Sequence, residues 1–210
     1  MYTPKHFSAP SDQALHDLMR AYPFATLVIH SADGINVHHL PLYLDGNRTL
    51  SGHVARANPL WQEAASAQEV LVIFHGPNAY VSPSWYPTKA STGRVVPTWN
   101  YVVAHARGKL RVINDVHWLR SHLEALTAQH EAPFEQAWQL GDAPADFIAQ
   151  LMQSVVGIEI EITQLTGKWK VSQNQPPENQ VGVMHGLKST ANTQASEMAK
   201  IVETINRLKT

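Results

Sequence analysis

Hydrophobic and polar positions recur along this chain with periods that divide it into helices, strands and turns. Residues 11–22 (SDQALHDLMRAY) place Leu15, Leu18 and Met19 on one helical face, with Ser11 or Asp12 as cap and Pro23 as stop. Strand-like segments follow at 24–31 (FATLVIHS) and 35–44 (INVHHLPLYL), joined through Ala32-Asp33-Gly34, whose Asp-Gly pair is a hairpin signal. Asp45-Gly46-Asn47 then turns the chain into RTLSGHVA, 48–55, which completes an antiparallel meander. Asn58-Pro59 opens a helix to about Ala67, because Asn caps well and Pro suits the first helical position. The continuous apolar run VLVIF, 70–74, predicts a strand covered on both faces.

Gly76-Pro77-Asn78 reads as a turn out of that strand, and a polar segment, Pro87–Gly93, separates AYVSPSWY from VPTWNY. From Tyr101 to Ile113 the alternation is clear. Val102, Ala104, Ala106, Gly108, Leu110 and Val112 share one side, and His105, Arg107, Lys109 and Arg111 the other. Residues 115–130 predict a helix with Trp118, Leu119, Leu123 and Leu126 inward, and APADFIAQLMQSVV a second one before Gly157. IEIEIT, 158–163, is again a strand, followed by a polar segment. The tail from Ser189 to Thr210 carries a helical stripe of Met198, Ile201, Val202, Ile205 and Leu208. Six or seven strands with short turns and inserted helices predict an α+β protein around a small antiparallel barrel.

Composition narrows the chemistry. The 210 residues are 44% hydrophobic and 16% charged, enough apolar material for one sizeable core. The net charge of −1 gives no global field for nucleic acid or anionic membrane. Zero cysteines exclude a disulfide scaffold, a thiolate nucleophile and Cys-ligated metal. No apolar run approaches the ~18 residues of a membrane span and no signal peptide is evident, so a cytoplasmic protein without membrane contact is expected. The twelve histidines lack ligand spacing: His38 and His39 point to opposite strand faces, and His117 and His122 lie about 140° apart around a helix. No metal site is expected, and there is no GxSxG elbow, GxGxxG fingerprint or Walker loop.

Three stretches carry candidate chemistry. GHVARANPLW, 52–61, delivers His53 and Arg56 to a helix start capped by Asn58, an arrangement that suits a phosphate; Arg56 paired with a surface carboxylate is the alternative. Residues 74–101 set Tyr80, Trp85, Tyr86, Trp99 and Tyr101 among Ser82, Ser84, Thr98 and Asn100. Those rings serve equally as walls for a flat heteroaromatic ligand or as rim packing, and the prolines between them predict ordered loops rather than helices. GKWKVSQNQP, 167–176, places Lys168, Trp169 and Lys170 beside Ser172, Gln173 and Asn174, either for a phosphate and a ring or as a solvated segment.

Taken in order, MYTPKHF, HLPL (39–42), GHVARANPLW, FHGPNAYVSPSWY, VPTWNY and KWKVSQNQ resemble the PaiB family of FMN-binding negative transcriptional regulators, from Met1 to about Gly186. The resemblance implies an FMN-binding split barrel over 1–186 and a homodimer with flavin at the subunit interface; the tail, 187–210, lies outside it, and its apolar stripe predicts a helix packed on the domain or a partner. It implies flavin contacts from His53, Arg56 and Asn58 near the phosphate or ribityl chain, and from Trp99, Asn100 and Tyr101 near the ring. Lys168, Lys170, Ser172 and Gln173 would reach the cofactor from the partner chain. The basic face of His105, Arg107, Lys109 and Arg111 would line the dimer seam or face the flavin phosphate.

The family also implies DNA as a partner, for which the sequence offers little. No helix-turn-helix with a basic recognition face is evident, and Leu165–Thr210 carries only a net +3. A flavin-dependent oxidoreductase or flavin reductase-like enzyme of unknown substrate is the competing expectation. There the cofactor carries the redox chemistry and no acid–base dyad is required.

Overall fold

A computed structural model describes residues 1–31, 34–63 and 69–207. It is an α+β fold whose seven strands form one antiparallel sheet in the order β2-β1-β5-β6-β7-β4-β3. The strands are β1 (Phe24–Ser31), β2 (Gly34–Pro41), β3 (Tyr43–Asp45), β4 (Thr49–Ala55), β5 (Val70–Val81), β6 (Thr98–Ile113) and β7 (Val155–Lys170). The helices are α1 (Asp12–Ala21), α2 (Leu60–Glu63), α3 (Lys89–Thr92), α4 (Val116–Glu131), α5 (Ala145–Gln153), α6 (Pro177–Lys188) and α7 (Thr193–Ile205). Among the described residues no helix is long and apolar enough to cross a membrane.

The chain divides into two compact units. The first comprises Met1–Leu18, His75–Ala104 and Thr166–Thr210, and the second Met19–Phe74 and His105–Leu165. In the second, alternation buries Leu27 and Ile29 of β1, Leu50 and Val54 of β4, and Val156, Ile158 and Ile160 of β7. A satellite cluster of Leu119, Leu140, Ile148 and Met152 fixes α4 against α5. In the first, Val102 and Ala104 of β6 are buried, as are Val183, Met184 and Leu187 of α6 and Met198 and Val202 of α7.

Several sequence expectations hold with little change. Ser11 caps α1 through the Ala14 N–H, Asp115 caps α4 through the Trp118 N–H, and the alternation of β6 buries Ala104, Ala106 and Leu110. Others need correction. Segment 35–44 is broken after Pro41, and the Leu42 N–H leaves the ladder to donate to the Pro23 carbonyl. The hairpin residues Ala32 and Asp33, and the helix expected beyond Glu63, lie outside the described residues, as does Leu208.

Gly76-Pro77-Asn78 does not turn the chain: it lies inside β5. Pro77 has no N–H to pair, and the Asn78 N–H donates to the Gln194 side chain at 3.1 Å, so a local loss of ladder partners mimics a turn signal. Only one face of 70–74 is fully covered: Val70, Val72 and Phe74 are buried, while Leu71 and Ile73 are half-buried. Two of the proline-bearing stretches expected as loops contain helical turns, a 3-10 turn at Pro83–Trp85 capped by Ser82 and the single turn α3. Finally, Lys168-Trp169-Lys170 is not a segment after the last strand but the end of β7.

Candidate functional site

The ten residues expected at a flavin divide between the units: His53, Arg56 and Asn58 in the second, the other seven in the first. Each group is built differently.

In the first unit, strand alternation sends Trp99 and Tyr101 to one face of β6 and Asn100 to the other. Trp99, 54% exposed, meets Tyr80 edge-on at 6.2 Å between ring centroids. With Trp85 they wall a groove of about 360 Å³ whose polar rim includes Asn78, Asn192 and Gln194. Trp85 reaches this position because α6 carries glycines one turn apart. A Cβ at Gly186 would overlap the Trp85 ring, and one at Gly182 the Trp85 carbonyl oxygen. This G-x-x-x-G spacing, Asn192 and Gln194 are features of the groove that the sequence expectations omit, and only the glycine spacing could have signalled a close approach.

On the other face, Asn100 is buried and hydrogen-bonded to Ser172 at 3.0 Å. Lys170 donates to the Thr98 hydroxyl and, at 2.6 Å, to the Trp99 carbonyl. Burial, and then the neighbouring Lys168, push its pKa down from the ordinary lysine value. Lys168 lies over the rings of Tyr101, Tyr2 and Phe7 at 5.5, 5.7 and 5.9 Å and donates to the Tyr2 carbonyl. Gln173 is occupied locally: its amide donates to the Trp169 carbonyl and accepts from the Val171 N–H.

In the second unit, Leu50 and Val54 turn into the core, which directs Ser51 and His53 to the other side of β4, where α4 packs. His53 Nδ1 meets His122 Nε2 at 3.1 Å, and His122 Nδ1 meets the Ser51 hydroxyl at 3.1 Å. Trp118 stacks on His122 at 5.2 Å, and Gly157, paired with His53 across β4 and β7, leaves the room: a Cβ there would sit 2.5 Å from the Trp118 ring. Burial, and secondarily the His53 charge, lower the His122 pKa to about 4; burial lowers that of His53. At neutral pH both rings are therefore uncharged, each with one N–H and one lone pair. In the sequence His122 has only His117 as a neighbouring imidazole, and its helix face gives no sign of a strand histidine opposite.

Arg56 spends Nε–H and one Nη2–H on the carbonyls of Gln153 and Val155, at 3.0 and 3.1 Å, so it clasps the junction of α5 and β7. Asn58 accepts the Leu60 N–H and caps α2, as its sequence position implies. The basic face of β6 is largely neutralised: Arg107 pairs with Glu69 at 3.3 Å and Arg111 with Glu159 at 2.5 Å.

An FMN ring is flat and carries donors and acceptors on its edge. The Tyr80/Trp85/Trp99 groove, with amides at its rim, fits such a group in its donor set and wall chemistry.

Comparison with known proteins points the same way. The family described as "Putative FMN-binding domain" matches residues 1–164. An uncharacterised protein of Emericella nidulans is 35% identical, covering 83% of this chain and 84% of its own. The "protease synthase and sporulation protein PAI 2" of Bacillus subtilis is 28% identical over 97% of both chains. Among solved structures, the FAD- and heme-binding protein of Mycobacterium smegmatis superposes with a TM-score of 0.57 at 16% identity, covering 78% of this chain and 73% of that one. The fold is that of the flavin-binding split barrels, and FMN is the cofactor that the family match assigns. The chain belongs to the FMN-binding family of PaiB-like proteins.

Proposed function

We propose that this protein binds FMN with its ring against Trp99, Tyr80 and Trp85, works as a homodimer, and has the regulatory role of the PaiB family. The observation that carries the reading is the aromatic groove, whose Tyr80 and Trp99 walls are exposed although rings of that size are normally covered. Bound FMN supplies redox chemistry; the chain's part is to bind it and set its surroundings. The visible spectrum of the purified protein, or of the apoprotein titrated with FMN, tests this. Absence of flavin absorbance together with absence of saturable binding overturns it.

The dimer is supported by the second unit. On one face of β1 and β2 the register sets Val28 beside Val37 and His30 beside Ile35, and Phe24, Ile35 and Val37 are all exposed. Exposed apolar side chains grouped on one sheet face, here around the polar Thr26–His39 pair, support an association surface. Sedimentation analysis of Val37→Lys is expected to show monomers where the parent shows dimers.

A second reading, a flavin-dependent oxidoreductase, is favoured by the pairing of Arg107 and Arg111 with glutamates, which removes the charge a DNA contact would use. A mobility shift with promoter DNA across a salt series, beside an assay of NAD(P)H oxidation, separates the two.

A further inference from the structure

On the face of β6 opposite Trp99 lies a second cavity, of about 180 Å³, lined by Tyr86, Val96, Pro97, Asn100, Lys170 and Ser172 among others, all within the first unit. We propose that it binds the oxyanion of a small ligand, a carboxylate or a phosphate monoester. The inference goes beyond the flavin reading, because Trp99 and Asn100 are successive residues of one strand and project to opposite sides.

Charge at the cavity favours an anion. Among the described residues neither Lys168 nor Lys170 has a carboxylate partner, and the two lie two positions apart on β7. Lys170 spends two N–H groups on Thr98 and the Trp99 carbonyl, which leaves a third. An ammonium group that is partly desolvated, beside a like charge and without a counter-ion, gains most from an anion.

Hydrogen-bonding capacity is left over at the same place. Tyr86 is only 4% exposed, and its hydroxyl has no partner among the described residues. The hydroxyl is not sealed from solvent, so it is a donor that a ligand acceptor can reach without breaking a hydrogen bond inside the protein. Asn100 and Ser172, 1% and 3% exposed, are hydrogen-bonded to each other, so one amide N–H of Asn100 remains.

The cavity wall is also held rigidly. Ser172 has φ +68°, a left-handed conformation that serine seldom adopts. The surroundings keep it there: the Gln175 N–H donates to the Ser172 carbonyl at 3.0 Å, and Asn206 donates to the Val171 carbonyl at 3.0 Å. Strain maintained by its neighbours is characteristic of a ligand clamp. The volume corresponds to about six waters at ~30 Å³ each, room for an acid headgroup and a few carbons beside the apolar wall of Val96 and Pro97.

The test titrates the full chain with sodium phosphate and, separately, with acetate at matched ionic strength, followed by amide NMR shifts and thermal stability. The parent protein is expected to show saturable binding of at least one anion. Lys170→Met is expected to weaken it about tenfold, and Tyr86→Phe, which removes only the hydroxyl, about three- to tenfold. No saturable binding of either anion, or binding indifferent to both substitutions, overturns the proposal. Should Lys170→Met fail to fold, Tyr86→Phe and the parent titration still decide it. Repeating the titrations with FMN and with riboflavin identifies the source. If FMN removes the phosphate response and riboflavin leaves it, the oxyanion is the cofactor's own phosphate; if the response persists with FMN bound, it belongs to a separate ligand.

Discussion

In the first unit Lys168 faces aromatic rings and Lys170 a cavity, neither with a carboxylate partner among the described residues, whereas in the second Arg107 and Arg111 each hold a glutamate and Arg56 holds two carbonyls. The same contrast separates the aromatic and imidazole groups. Trp99 and Tyr80 stand exposed around a groove, while Trp118 stacks on His122 and His122 is hydrogen-bonded to His53. Side chains whose capacity is spent inside the protein hold the fold, and side chains with capacity left over are the ones available to a ligand.

The sharpest way to break this comparison is pH. The folded-state pKa of His122 lies below its ordinary value of 6.5, at about 4, so folding favours the neutral ring. The corresponding stability is present above about pH 6.5 and is lost as pH falls toward about 4; His53 acts in the same sense. The loss amounts to about 3 kcal/mol over that window, and His122→Asn should flatten it, as read from urea midpoints across the range. A comparable slope arising in the first unit would mean that the buried polar groups had been apportioned wrongly.

Next in size is Gly186→Ala. The added methyl gains helix propensity but collides with the Trp85 ring, so a net loss of about 1–3 kcal/mol is expected in thermal unfolding, with weaker FMN binding as the groove wall shifts. Trp99→Ala should weaken FMN about tenfold with little change in stability, because its ring stands more than half exposed. Arg56→Ala is the mirror image. It should cost about 1–2 kcal/mol through its two carbonyl contacts and leave FMN affinity within about twofold; loss of affinity without loss of stability would instead restore Arg56 as a phosphate ligand. The smallest effect is Asp115→Ala, about 1 kcal/mol from an N-cap that belongs to neither ligand surface.

How far these features are legible in the sequence depends on whether one residue carries its own evidence. The alternation of 102–112 needs only the chain itself, and β6 follows it. Helix α6 is hidden for the opposite reason: it opens on Pro176-Pro177 and buries Asn179, Gln180 and Gly186, so no clean apolar stripe marks it. Asn179 is buried because it bonds Thr88, and Gln180 because it bonds the Gln175 carbonyl, partners that only the fold supplies. The same holds for candidate chemistry. Aromatic density around 80–101 points to the groove, but the pairing of His53 with His122, 69 positions apart, and the lack of a partner for the Tyr86 hydroxyl among the described residues are properties of packing.

The row from Ser51 through His122 to His53 has one more implication. Two neutral imidazoles and a hydroxyl in line can be ordered in either direction, Ser51 donating to His122 and His122 to His53 or the reverse, and the two orders differ in both imidazole tautomers and in the hydroxyl rotamer. Since His53 is the half-buried end and Ser51 the buried one, the tautomer taken at the accessible ring fixes which way the buried hydroxyl points.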